Sequence, residues 1–386
     1  MIIEQAIRLN SVKEYYFSRK LREIAQMKEA GKSVLNLGIG SPDLPPSPEV
    51  INTLQQEAGK ENVHAYQSYT GINDLREAFS DWYGQYFKVP LNPDAEILPL
   101  MGSKEGILFI SLAFLNPGDG VLVPNPGYPT YTSVSNLVQA NIINYPLDEA
   151  NNWQPDFEML DKMDLSNIKL MWVNYPNMPT GANGSKELFE KLVAFGKKHK
   201  ILVCNDNPYS FVLNEEPKSI LAYDQAKETA IELNSLSKSH NMAGWRIGMI
   251  AGAQDYIQTI IKVSSNVHSG MFLPLQKAAV EALRQPKAWY EQLNKKYQSR
   301  RSIVYQIFDR LKCSYDKNQK GLFVWARIPE TYENAESYSE KILQQAHVFV
   351  TPGFIFGSKG DRYLRISLCS HEETLEEALK RIGRIH

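Results

Sequence analysis

The stretch Ala230-Ile231-Glu232-Leu233-Asn234-Ser235-Leu236-Ser237-Lys238 runs an apolar strand pattern straight into two serines and a lysine, and a second strand pattern, Gly248-Met249-Ile250-Ala251, follows closely after Arg246. One amine is thereby set among hydroxyls and small residues, with an arginine eight positions on. A lysine nucleophile has to be desolvated or placed among other cations to shed its proton near neutral pH, and a phosphate-bearing ligand needs hydroxyl and guanidinium donors. Lys238 therefore reads as a reactive amine. The plain alternative is a surface lysine leading into a strand, and the rest of the chain has to decide between them.

Outward from this stretch, short β-branched runs alternate with longer amphipathic ones. Val121–Val123, Leu170–Val173 and Ile201–Cys204 read as further strands. Helices are expected from Lys104 to Phe114 and from Ser185 to Lys198, the latter with Ser185 as N-cap and Leu188, Phe189, Leu192, Val193 and Phe195 as its apolar face. Such alternation predicts an α/β fold: a large domain with a mostly parallel central sheet between helices. From about Gln276 the texture changes to long charged helical sequence. Two strand patterns, Leu322–Ala326 and Tyr363–Ser367, and a closing helix, Glu372–Ile385, then follow, which predicts a smaller α+β domain. The expected division is 1–44 as an N-terminal arm and part of the small domain, 45–280 as the large domain, and 281–386 as the small C-terminal domain, with no internal repeat.

A chain of 386 residues exceeds what one core supports, in keeping with two domains. Hydrophobic residues at 43%, charged residues at 22% and a formal net charge of -1 describe an ordinary globular protein and give no reason to expect a nucleic-acid partner. Lys197-Lys198-His199-Lys200 reads as the cationic last turn of a helix. No apolar stretch approaches a membrane span, and charges interrupt the N-terminus where a secretory signal would be apolar, so the expectation is cytoplasmic with no membrane partner. Cys204, Cys313 and Cys369 are widely spaced without a C-x-x-C pair, which argues for buried thiols in a reducing compartment and against a metal site.

In an open parallel sheet, ligands bind beyond the carboxyl ends of the strands, so the polar residues just after each strand deserve scrutiny. Cys204 leads into Asn205-Asp206-Asn207-Pro208-Tyr209, Val173 into Asn174-Tyr175-Pro176-Asn177-Met178-Pro179-Thr180-Gly181, and Leu233 into Ser235 and Lys238. Topology alone brings a carboxylate, a phenol, an amide and an amine to one crevice.

These motifs, in this order, resemble those of the fold-type I pyridoxal-phosphate enzymes, and among them the class I/II aminotransferases; the likeness covers nearly the whole chain. It implies that Lys238 forms a Schiff base with pyridoxal 5′-phosphate and then moves a proton between the substrate Cα and the cofactor. It implies that Asp206 pairs with the pyridinium nitrogen and that Tyr209 bonds the cofactor's O3′. Gly102-Ser103-Lys104 is similar to a phosphate loop at a helix start. Ser235, Ser237 and Arg246 would complete that site. Tyr128, in Pro126-Gly127-Tyr128-Pro129, would stack on the ring. Arg365 would clamp the substrate α-carboxylate through its planar fork, with a backbone N–H of Gly40 nearby. Tyr66 resembles the tyrosine that reaches the phosphate from the partner subunit, which implies a homodimer with shared active sites.

The chain departs from the family in one place: Met178 stands where an asparagine normally precedes Pro-Thr-Gly and donates to O3′. Either Asn177 or Asn174 takes its place, or the donor is absent and the pKa of the Schiff base rises. The expected activity is transfer of an amino group between an L-amino acid and a 2-oxo acid in two alternating half-reactions. The N-terminal stretch from Ala6 through Tyr15-x-Phe17 to Asp43 is similar to the subgroup of LL-diaminopimelate and broad aspartate-type aminotransferases. A C–S β-lyase of the same fold is the alternative. A non-catalytic cofactor-binding regulator would need a DNA-binding module, for which the residues before Leu35 are too few.

Overall fold

The computed structural model describes residues 2–11 and 16–385; Tyr15, quoted above in the N-terminal stretch, lies outside the described residues. A seven-stranded sheet carries the strands in the order Ile97–Leu100, Gly248–Ala251, Ala230–Ser235, Leu202–Asp206, Ile168–Val173, Gly120–Asn125 and Asn141–Pro146. Gly248–Ala251 runs antiparallel to both of its neighbours, and all other pairings are parallel. Every residue of the central strands Leu202–Asp206 and Ala230–Ser235 is buried, because helices cover both faces.

Alternate residues feed two separate cores. Leu170 and Trp172 join one with Leu202, Cys204, Ile231 and Leu233, beneath the helix Ser103–Phe114. Met171 and Val173 join the other with Val203, against the helix Lys186–His199. Full burial of such side chains stabilises by roughly 1.5–3 kcal/mol each. The helix Lys186–His199 starts where expected, since Ser185 Oγ accepts from Leu188 N at 3.1 Å. Its basic last turn meets Asp161 through Lys198 and His199.

A third core lies beneath a four-stranded antiparallel sheet in the order Thr351–Pro352, Tyr363–Ser367, Phe323–Arg327 and Ser314–Tyr315, packed by the helices Lys287–Arg310 and Glu372–Ile382. The segment before residue 44 is tied to it. Leu35–Asn36 pairs in parallel with Val348–Phe349, Leu37 O accepts from Ser367 N at 2.8 Å, and Asp43 takes both terminal nitrogens of the buried Arg300 at 2.7 and 2.8 Å. The helix Tyr16–Glu29 sets Ile24 and Met27 against Leu343 and Phe349. The three cysteines are free and buried. Among the described residues, no helix is long and apolar enough to cross a membrane, and no cluster suits a metal ion.

Candidate active site

The carboxyl ends of the parallel strands open on a cavity of about 300 Å³ whose wall includes Ser103, Asn174, Asp206, Tyr209, Ser235, Ser237 and Lys238 from the large sheet's connections. Gly40, Phe323 and Arg365 close it from the opposite side. The strand-end rule and the sheet order therefore bring together most of the residues singled out in the sequence, among them Lys104, Tyr128 and Arg246.

Lys238 lies in the short helix Leu236–Ser239, which begins directly off the strand Ala230–Ser235. Its amine donates to Gly40 O at 2.7 Å. Burial pulls its pKa below the ordinary lysine value, Arg365 and Arg246 pull the same way, and Cys369 and Asp206 oppose. The amine is thus easier to deprotonate than a surface lysine, as its sequence context suggested.

Asp206 ends its strand 3% exposed. Tyr131 OH donates to its Oδ2 at 3.0 Å, while its Oδ1 is buried without a partner. Burial pushes the carboxyl up to about 6, against the Tyr131 hydrogen bond and Lys238, with the buried Glu232 adding to the rise. Glu232 itself is held by Tyr83 OH at 2.8 Å, Asn205 Nδ2 at 2.9 Å and Ile220 N at 3.0 Å, and burial raises its pKa too. A buried acceptor left without a donor is rare in a native protein, and it fits a ring N–H arriving from the cavity.

At the other end of the cavity, Gly102 adopts φ +87° just before the helix Ser103–Phe114. A side chain there would place its Cβ 2.1 Å from Arg246 Nη2, so glycine is what lets the guanidinium lie over the helix start. Ser235 Oγ accepts from Ser237 N at 3.1 Å and lies 2.9 Å from Ser237 Oγ. Helix N–H groups, hydroxyls, Lys104 and Arg246 together form a receptor for a dianion.

Arg365, 4% exposed, donates to Gly38 O at 3.0 Å and to Met178 Sδ at 3.3 Å. Its guanidinium carbon lies 3.9 Å from the Phe323 ring centre and 4.5 Å from that of Phe356. Gly40 packs closely against Phe323, since a Cβ at that position would fall 2.3 Å from Phe323 Cζ. The backbone group of Gly40 seen at work is its carbonyl, which takes the Lys238 amine. Tyr209, buried, stands edge-on to Phe323 at 6.0 Å, and burial raises its pKa above the usual phenol range.

Three residues from the sequence reading do not line this cavity: Gly102, which lies just before the helix start under Arg246, Asn177 and Tyr66. Asn177 is turned into its own loop, where its Oδ1 accepts from Thr180 N at 3.2 Å and Thr180 Oγ1 at 2.8 Å. Asn174 lines the cavity instead, with its Nδ2 on Asp206 O and its Oδ1 accepting from Met178 N at 2.7 Å. Of the two replacements left open for the amide donor, position favours Asn174, which lines the cavity while Asn177 does not, although Asn174 Nδ2 already donates to Asp206 O and Asn177 Nδ2 is buried without a partner. Tyr66 is 90% exposed and does not line the cavity of its own chain. Tyr131, Phe17, Phe323 and Phe356 were not singled out from the sequence. Tyr131 had a signal, two positions after Pro129 in the aromatic segment; Phe17 and Phe323 were read only as parts of the N-terminal stretch and of a strand, and Phe356 had no signal.

The profile of the family described as aminotransferase class I and II matches residues 32–382. An LL-diaminopimelate aminotransferase of Moorella thermoacetica is 37% identical over 385 residues, which cover 99% of this chain and 98% of that protein. One from Dehalococcoides mccartyi is 38% identical over 378 residues, covering 97% of each. The substrate-bound structure of BacF from Bacillus subtilis superposes with a TM-score of 0.94 at 35% identity, covering 99% of this chain and 98% of the other. With these likenesses along its whole length, the chain belongs to the class I and II aminotransferases, the transaminases.

Proposed function

We propose that this cavity is where the protein moves an amino group from an L-amino acid to a 2-oxo acid, with pyridoxal 5′-phosphate held by the residues around it. When bound, that group supplies an aldehyde that links to amines and a ring that takes up the electrons left when a Cα–H bond breaks. The observation that carries the reading is Asp206 Oδ1, buried without a partner in a cavity that also presents the Lys238 amine.

Asp206 accepts the ring N–H, and its charge keeps that proton in place. Tyr209 and Asn174 serve the O3′ side, Asn174 in the place first given to Asn177, and Tyr128 covers a ring face. Ser103, Lys104, Ser235, Ser237 and Arg246, with the backbone after Gly102, hold the phosphate. Arg365 takes the substrate α-carboxylate through two parallel hydrogen bonds. Lys238, aimed by Gly40 O and depleted of its proton by burial, would take the proton from the substrate Cα and hand it to the cofactor carbon that carries the nitrogen. The exposed Tyr66 serves the phosphate site of a second copy in a homodimer. The chain divides for this work into residues 1–44, 45–280 and 281–386, so that the small domain carries Arg365 toward the larger domain's lysine.

The name of the relatives puts LL-diaminopimelate among the donors to be tried. Incubating the cofactor-loaded protein with a panel of L-amino acids and 2-oxoglutarate should yield glutamate, and Lys238→Ala should abolish the yield. Release of pyruvate from cystathionine without glutamate formation would turn the reading to the lyase.

A further inference from the structure

Once the groups assigned to the cofactor and the α-carboxylate are set aside, what the described residues of this chain offer to the rest of a substrate is uncharged. The charged residues lining the first cavity are Lys104, Asp206, Lys238, Arg246 and Arg365, and the reading above already employs each of them. Phe17, Met178, Phe323 and Phe356 remain as wall. Phe17, Tyr128 and Phe356 also line an adjoining cavity of about 730 Å³, whose surface continues through Tyr16, Phe354 and Ile355. Among the described residues lining that second cavity, not one carries a charged side chain; the others are prolines, glycines, serines, threonine and asparagines.

We propose that one of the two amino-acid substrates carries a large aromatic or aliphatic side chain that passes between Phe17 and Phe356 and lies in this uncharged cavity. The proposal rests on the amino-transfer reading of the first cavity and adds the substrate's side-chain class to it. An apolar side chain gains by leaving water, and a ring gains further from edge and face contacts with the phenylalanines. A distal ammonium or carboxylate would lose its hydration and meet no counter-charge among the described residues that line the cavity. LL-diaminopimelate, which carries both at its far end, is therefore poorly matched to this wall, although the relatives bear its name.

The half-reaction tests this directly: mix the cofactor-loaded protein with L-phenylalanine, L-leucine or LL-diaminopimelate, and obtain kcat/KM from the loss of cofactor absorbance. L-Phenylalanine should exceed LL-diaminopimelate at least tenfold. If LL-diaminopimelate equals or exceeds both apolar donors, the side-chain proposal is overturned while amino transfer stands; if no amino acid is converted, both fall. A variant gives an independent reading. Ile355→Asp places a carboxylate in the uncharged cavity at a half-exposed position that does not line the first cavity, so it should leave the cofactor spectrum and kcat little changed while raising KM for L-phenylalanine at least fivefold. An unchanged KM for L-phenylalanine would overturn the proposal.

Discussion

Tyr131 donates its hydroxyl to Asp206 Oδ2 at 3.0 Å while its ring lies flat on Trp172, 5.1 Å between centres and 2° between planes. The stacked tryptophan fixes the ring, the ring fixes the hydroxyl, and the hydroxyl fixes which carboxylate oxygen is left for the cavity. Tyr131→Phe removes a hydrogen bond that favours the ionised carboxyl, so the Asp206 pKa should rise further. The acid limb of the kcat–pH profile should move to higher pH, with kcat down about tenfold at neutral pH, since a hydrogen bond to a charged group contributes roughly 1.5–3 kcal/mol. An unshifted limb would show that Tyr131 only fills space.

The same carboxyl makes the cofactor-free protein sensitive to pH. Its pKa rises from 3.8 to about 6 on folding, so the folded state binds that proton more tightly than the unfolded chain. Its contribution is present below about pH 4 and is lost as pH climbs through 6, amounting to roughly 3 kcal/mol for a fully buried group. Chemical denaturation of apoprotein at pH 4.5 and pH 7, expressed as the difference between wild type and Asp206→Asn, should reveal that loss. A constant difference between the two proteins would contradict it.

Arg365 is sandwiched by rings and fixed by Gly38 O, so its fork is set before any carboxylate arrives. Arg365→Lys keeps the charge but loses the planar pair of donors and the stacking. KM for the amino donor should rise about ten- to a hundredfold, the effect of losing one charge-assisted hydrogen bond of roughly 1.5–3 kcal/mol, with cofactor affinity unchanged. A KM within twofold of wild type would remove Arg365 from the carboxylate site.

Tyr66, exposed in its own chain, offers a test of site sharing. Lys238→Ala and Tyr66→Ala proteins should each be impaired, yet mixing them under subunit exchange should restore activity. Random pairing makes half the dimers hybrid, and each hybrid holds one site with a native lysine and a native tyrosine, so roughly a quarter of wild-type activity is expected. No recovery would place Tyr66 outside the shared site.

The strands readable in the sequence are the ones buried on both faces. Leu170–Val173 and Ala230–Leu233 show as apolar runs because neither side meets water. The two strands not recognised are the sheet's edges. Ile97–Leu100 carries Pro99, which an edge tolerates and a central strand does not, and Asn141–Pro146 faces solvent along much of its length. The site was legible to the same degree. Asp206, Lys238 and Ser235 follow strands, so chain topology alone gathers them. Glu232 was not legible as part of it, since it sits inside an apolar strand, and Tyr131, though part of the aromatic segment, sits on a helix, so that only the packed structure shows what each touches. Asn177 and Asn174 could not be told apart by spacing, because only the packed structure shows that Asn174 lines the cavity and Asn177 does not.

The claim on which the rest depends is a covalent bond between the cofactor's aldehyde carbon and Lys238 Nζ. Borohydride reduction of the cofactor-loaded protein, followed by proteolysis and mass spectrometry, reads it out in one step. The account predicts a phosphopyridoxyl group on the peptide that contains Lys238 and on no other. A label on Lys104 alone, the other lysine lining the cavity, or no label at all would contradict it.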